Sequence, residues 1–254
     1  MLIDSHAHLG DERVYPHIDE ILSRAHSSKL SHIINICTDD VSLSRGLEIH
    51  SRYPWVYNVG ATPPHDVVKD GERLFPLFES HAKNGDLIAI GETGLDYFYH
   101  KETEALQKRI FIKYLHLAKE LKLPIVIHCR DAFQDLFSII DAEYGLRGGI
   151  LHCFTGNKEE ADELVKRGWY LSFSGIVTYK KSFELREIVK QTPVEHILIE
   201  TDSPYLAPQT KRSQTNEPSF IAETATTIAE LKGISLEECA QITSHNIRNA
   251  FRLL

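Results

Sequence analysis

Cysteine is scarce in this chain. Its four residues, Cys37, Cys129, Cys153 and Cys239, lie far apart and form no C-x-x-C pair. Such spacing excludes a disulfide framework and fits reduced, packed thiols. Basic excess is also missing: 28 Lys and Arg face 36 Asp and Glu, for a net charge of −8 with His neutral. Broad coating of nucleic acid by a basic surface is therefore excluded. A nuclease is not, because bound divalent cations can supply positive charge locally. No apolar run is long enough to span a bilayer. The opening MLIDSHAHLG has no basic stretch followed by an apolar one, so no secretory leader is expected and the chain is placed in the cytoplasm. No Pro/Gly/Ser-rich linker or low-complexity tract divides the sequence, which reads as one domain over residues 1–254.

What is present is regular. Short apolar runs recur as LIDSHAH (2–8), HIINICT (32–38), VYNVGAT (56–62), LIAIGET (87–93), PIVIHCR (124–130), GGILHCF (148–154), WYLSFSG (169–175) and HILIETD (196–202). Each is rich in β-branched or aromatic residues and ends in polar residues or Gly, as buried strands do. Helical spacing fills the intervals. In residues 105–121, Ile110, Tyr114, Leu117 and Leu121 share one stripe, and the helix over 219–233 ends on Gly233. Single strands alternating with single helices imply parallel βαβ units. Eight of them, in a chain close to the roughly 250 residues typical of the fold, predict an α/β protein, a (β/α)₈ TIM barrel. An extra C-terminal helix is expected at about 235–252. No G-x-G-x-x-G follows the first strand, which removes the usual dinucleotide cue.

The 14 histidines prompt a search for metal ligands. His6 and His8 close the first predicted strand, Glu92 the fourth, His128 the fifth, His152 the sixth and Asp202 the eighth. In a (β/α)₈ barrel all those strand ends face one mouth. His6 and His8 are two apart and share a face, whereas Cys129 and Cys153 directly follow histidines and should point to the helix layer. Glu200 shares parity with Asp202 and should lie one layer deeper, as a charge partner or acceptor. Singly, each has a duller reading: H-x-H recurs by chance, Glu92 caps a helix, and Asp202 starts a turn with Ser203 and Pro204. Joint placement decides for a shared site. Mixed imidazole and carboxylate ligands suit Zn or Mn and admit Mg. Six ligands exceed one tetrahedral site and fit two divalent ions sharing a carboxylate, with Asp202 placed to orient a water or accept its proton.

The motifs DSHAH, IGETGLDYF, PIVIHCRDA, HCFTG, SFSG, ETDSPYLAP and NEP, in that order, closely resemble the TatD family of metal-dependent deoxyribonucleases within the amidohydrolase-like barrels. The likeness runs from Ile3 to about Phe251 and includes TSHNIRNAF near the end. It implies that His6 and His8 hold one metal with Glu92 and Asp202, while Glu92 bridges to a second metal held by His128 and His152. It also implies hydrolysis of DNA phosphodiesters, often from the 3′ end, with Mg or related ions. Relatives of this type act in DNA repair, in DNA breakdown during cell death, or on aminoacyl-tRNA esters. Two departures stand out. Where the family commonly has Gly-x-His-Pro after the third strand, this chain reads GATPPHD, with Thr62 in the place of that histidine and His65 three residues on. The loop before NEP lacks the usual Arg-Gly and reads QTKRSQTNEP.

The resemblance implies an enzyme cleaving DNA, and a deep barrel mouth suits single-stranded ends better than the middle of a rigid duplex. Arg130, Lys211 and Arg212 are candidate phosphate contacts, and His65 a candidate contact to substrate or leaving group. Asn216 is expected to cap the helix beginning near Pro218. The competing readings are a hydrolase of a carbonyl substrate (ester, amide or aminoacyl-tRNA) and a non-catalytic binding protein. No membrane or protein partner is implied.

Overall fold

Parallel strands buried on both faces require continuous apolar runs, and those runs form the barrel wall. In the computed structural model, which describes residues 1–253, the strands are β1 (Leu2–Ala7), β2 (Leu30–Cys37), β3 (Val56–Gly60), β4 (Ala89–Asp96), β5 (Ile125–Arg130), β6 (Ile150–Leu151), β7 (Tyr170–Phe173) and β8 (Ile197–Ile199). Leu254, the last residue of the expected domain, lies outside the described residues. The eight strands pair in parallel in chain order, and helices follow them as expected of a (β/α)₈ barrel.

Helix α4 (Glu104–Leu121) buries the stripe read from its sequence: Ile110, Tyr114 and Leu117 are buried, and Leu121 packs against the core's edge. Each fully buried side chain of that size contributes roughly 1.5–3 kcal/mol. Helix α8 (Ile221–Lys232) ends on Gly233 at φ 66°, a left-handed cap that glycine adopts without strain. Helix α9 (Leu236–Phe251) is the extra C-terminal helix, and it packs on β1 and β8. Among the described residues no helix is long and apolar enough to cross a membrane.

Two strand boundaries differ from the sequence reading. Glu92 does not end its strand. After a register irregularity between Ile90 and Thr93, β4 continues to Asp96, which pairs with Arg130. The sixth strand is only Ile150–Leu151, because the chain turns at Cys153, whose φ is 44°. The expected cap is also corrected. The turn at Pro218–Phe220 has no side-chain cap, and Asn216 instead donates from Nδ2 to the carbonyls of Thr201 (2.8 Å) and Tyr205 (2.6 Å). It thereby staples the loop leaving β8.

Closure of the barrel depends on that loop. Ser203 bridges Ala7, the Asp202 amide donates to the His6 carbonyl at 2.9 Å, and the His8 amide donates to the Ser203 carbonyl at 2.7 Å. Beneath them the buried Asp4 carboxylate accepts from the Thr201 amide (2.9 Å), the Thr201 hydroxyl (2.5 Å) and the His6 amide (3.2 Å). Burial lifts the Asp4 carboxyl from its ordinary 3.8 to about 7, against the opposing pull of these donors.

Within that window the folded chain keeps a proton that the unfolded chain has lost. The contribution of Asp4 to stability is therefore full below the ordinary value and declines as pH rises towards about 7. Asp4→Asn, which resembles the protonated acid, should flatten the dependence of melting temperature on pH between about 4 and about 7. Asp4→Ala should lose on the order of 2–4 kcal/mol at pH about 5, since buried donors are left unpaired. Thermal unfolding across pH checks both, and an unchanged slope in the Asn variant contradicts the assignment.

Candidate metal centre

The mouth at the strand C-termini gathers side chains that are far apart in sequence. His6 lies on β1, His8 just beyond it, Glu92 within β4, His128 on β5, His152 just beyond β6, and Asp202 just beyond β8. Two glycines make room for Glu92. A Cβ on Gly91 would meet the Val126 carbonyl oxygen at 2.5 Å, and one on Gly94 would meet that of His128 at 2.0 Å. Both have positive φ, 147° and 142°. Only a residue without Cβ lets β4 pass this close to β5 and set Glu92 beside His128.

The donor atoms form two groups that share Glu92. In the first, Nε2 of His6 lies 3.3 Å from Nε2 of His8, 3.5 Å from Oε2 of Glu92 and 3.7 Å from Oδ1 of Asp202. His8 Nε2 lies 3.8 Å from the same Glu92 oxygen and 3.3 Å from the same Asp202 oxygen. In the second, Oε1 of Glu92 lies 3.1 Å from His128 Nδ1 and 3.0 Å from His152 Nε2, which are 3.1 Å from each other. Atoms bound at about 2.0–2.2 Å to one ion stand about 3.0–3.6 Å apart. Among the described residues, the Glu92 and Asp202 carboxylates are approached only by these histidines. Two imidazole pairs also bring ring nitrogens to within 3.3 Å and 3.1 Å of each other. This donor set fits cations: converging acceptors, few donors and deep burial.

Electrostatics agree with that geometry. Burial pushes His6 below the usual histidine range, helped by His152, whose ring stacks on it at 3.9 Å. Burial thus favours the neutral imidazole at His6, the form that can give a lone pair to a cation. Burial also opposes charge on Glu92, yet His152, His128 and His6 hold it well below the carboxylate range. Asp202 is held down against burial by His8 and His6. In return burial is outweighed at His152 by Glu92 and Glu200, at His128 by Asp96 and Glu92, and at His8 by Asp202 and Glu92, so all three are raised.

A second layer orients these groups. Glu200 is buried as its parity predicts, with Oε1 at 3.5 Å from His152 Nδ1 and accepting the Cys153 amide at 2.8 Å. Asp96 is a site residue that the sequence reading misses. Its Oδ2 lies 3.1 Å from His128 Nε2, the ring nitrogen facing away from Glu92. The signal was available, since residues 92, 94 and 96 share a strand face once the strand is known to continue. Cys153 corrects the parity argument. Beyond the strand, alternation no longer applies, and the thiol lines the mouth beside Ser174 at 3.5 Å.

The mouth opens into a cavity of about 1110 Å³. His65 and Arg130 line it. His65 is half exposed on its outer wall, 3.7 Å from Asp66, and contacts none of the clustered ligands. Thr62 is buried and hydrogen-bonded to the Tyr114 hydroxyl at 3.0 Å, a packing role. Lys211 and Arg212 are not brought into the cavity. Arg212 stacks over Tyr179 at 4.2 Å and Lys211 lies 5.3 Å over Phe220.

The family described as TatD related DNase matches residues 3–252. The metal-dependent hydrolase YabD of Bacillus subtilis is 39% identical over 254 residues, covering 100% of each chain. The 3′-5′ ssDNA/RNA exonuclease TatD of Citrobacter koseri is 31% identical, with 92% of each chain covered. The crystal structure of the TatD homologue YJJV from Escherichia coli superposes with a TM-score of 0.93 at 24% identity, covering 100% of this chain and 98% of that one.

If Asp96 fixes the ring of His128, Asp96→Ala should weaken uptake of divalent ions by about 10- to 100-fold. His65→Ala should leave uptake unchanged. Calorimetric titration of Mn²⁺ or Zn²⁺ into the metal-stripped protein compares the two. Equal affinities in wild type and Asp96→Ala would contradict an orienting role.

Proposed function

The chain belongs to the TatD related DNase family and is a metal-dependent hydrolase, and we propose on that premise that it removes nucleotides from single-stranded DNA ends through a two-metal site. The observation that supports this best is Glu92, whose two oxygens face two separate imidazole groups. In this reading His6, His8, Asp202 and Glu92 would hold one ion, and His128, His152 and Glu92 would hold the other. Two divalent ions of Mg, Mn or Zn type, when bound there, would supply Lewis-acid charge for the phosphoryl oxygens and would lower the pKa of an attacking water.

The remaining steps belong to the protein. Asp202 stays ionised, and only its Oδ1 faces His6 and His8, so Oδ2 is available to orient the water and take its proton. His128 and His152 are kept in register by Asp96 and Glu200. Arg130 neutralises phosphate at the cavity wall, and His65 touches the substrate or leaving group from the outer side. Lys211 and Arg212 meet more distant phosphates outside the cavity. A strand end enters such a mouth more easily than the middle of a rigid duplex. The name of the TatD relative, a 3′-5′ ssDNA/RNA exonuclease, supports that choice.

Metal-replete protein should release mononucleotides from a single strand, with loss from the 3′-labelled end preceding loss from the 5′-labelled end. A chelator should abolish release and added Mg²⁺ or Mn²⁺ restore it. Asp202→Asn should lower kcat by about 10²- to 10⁴-fold. Intact DNA and RNA after incubation with metal-loaded protein, alongside turnover of simple esters or amides, would replace this reading with carbonyl hydrolysis.

A further inference from the structure

We propose that Phe98 and Tyr99, braced by Arg130, form a stacking subsite for one unpaired nucleobase beside the scissile phosphate; this rests on the phosphodiesterase reading above. Among the described residues four aromatic side chains are exposed, Phe98, Tyr99, Phe183 and Tyr205, and all but Phe183 line the cavity that holds the metal-ligand cluster. Phe98 and Tyr99 are 56% and 62% exposed, far more than aromatic rings retained only for packing. Their rings meet edge to face at 4.6 Å.

Three features separate this pair from an idle apolar patch. The Arg130 guanidinium lies 3.9 Å from the Phe98 centroid and 4.7 Å from that of Tyr99, and it enters no ion pair among the described residues. It therefore keeps its charge for an incoming phosphate. Tyr205 differs: its partner Arg13 is already bound to Asp11 at 2.9 Å.

Second, the pair is held still. Oδ1 of Asp96 accepts the Phe98 amide at 3.0 Å and the Tyr99 amide at 2.9 Å. The Gln107 side chain secures the next turn by donating to the His100 carbonyl at 2.8 Å.

Third, the other oxygen of Asp96 contacts His128 at 3.1 Å. One carboxylate thus ties the aromatic pair to a metal-ligand histidine and fixes their separation.

Rigid aromatic faces, an adjacent free guanidinium and a phosphoryl-transfer centre at constant distance match one nucleotide: base on ring, phosphate on arginine. A base within a duplex has both faces covered and cannot use such a platform, so the subsite selects unpaired ends.

The test uses the metal-loaded full chain and three single-stranded oligonucleotides: intact, abasic at the terminal nucleotide, and abasic at the penultimate one. Wild type should show a KM roughly 5- to 100-fold higher on one abasic strand than on the intact strand, the size of base–aromatic stacking. The Phe98→Ala/Tyr99→Ala double variant should show that higher KM on all three strands, with unchanged metal content. Tyr99→Phe should keep the preference for the intact strand. Equal KM values for wild type on all three, or persistent discrimination in the double variant, would overturn the subsite while leaving the nuclease reading intact. Failure of wild type to cut any strand would remove that reading and this subsite with it.

Discussion

Glu92 is buried among three imidazoles within 3.5 Å, with Asp202 on the far side of two histidines. A carboxylate so enclosed is costly unless positive charge stands beside it. Without a cation that charge has to come from the histidines, yet burial and the His152 ring stacked on it at 3.9 Å both oppose charge on His6. Bound divalent ions would resolve the conflict, because neutral imidazoles and ionised carboxylates can then both face positive charge. The rest of the mouth is arranged around that requirement.

The barrel supplies the convergence. Strand ends one to eight face one rim, and the seam between β1 and the loop after β8 brings Asp202 against His6 and His8. Asp4 and Asn216 have no place in the chemistry, yet they hold that seam through Thr201. Gly91 and Gly94 do the same for β4, where any side chain would strike the backbone of β5. Rigidity at these joints sets the donor spacing, which in turn limits what the rim can bind.

Much of this was readable from residue order. Eight β-branched runs and the stripe on α4 follow from burial, which leaves a periodic mark. The convergence of His6, His8, Glu92, His128, His152 and Asp202 was readable because strand ends of a parallel barrel share a face. The misses have a common cause, since alternation holds only within a regular strand. The irregularity at Glu92 concealed how far β4 continues, and with it Asp96. The turn at Cys153 reversed a side chain assigned to the helix layer. Asn216 resembles a helix cap in sequence, but its partners lie at Thr201 and Tyr205, a contact set by the β8 exit loop. Phe98 and Tyr99 carry no periodic mark at all, and their exposure at the mouth is a three-dimensional property.

The measurement closest to the central claim is an anomalous difference map from crystals soaked in Mn²⁺. Two peaks per chain are expected. One should touch His6 Nε2, His8 Nε2 and Asp202, the other His128 Nδ1 and His152 Nε2, with one oxygen of Glu92 on each. A single peak, or peaks away from Glu92, would contradict a shared carboxylate between two cations.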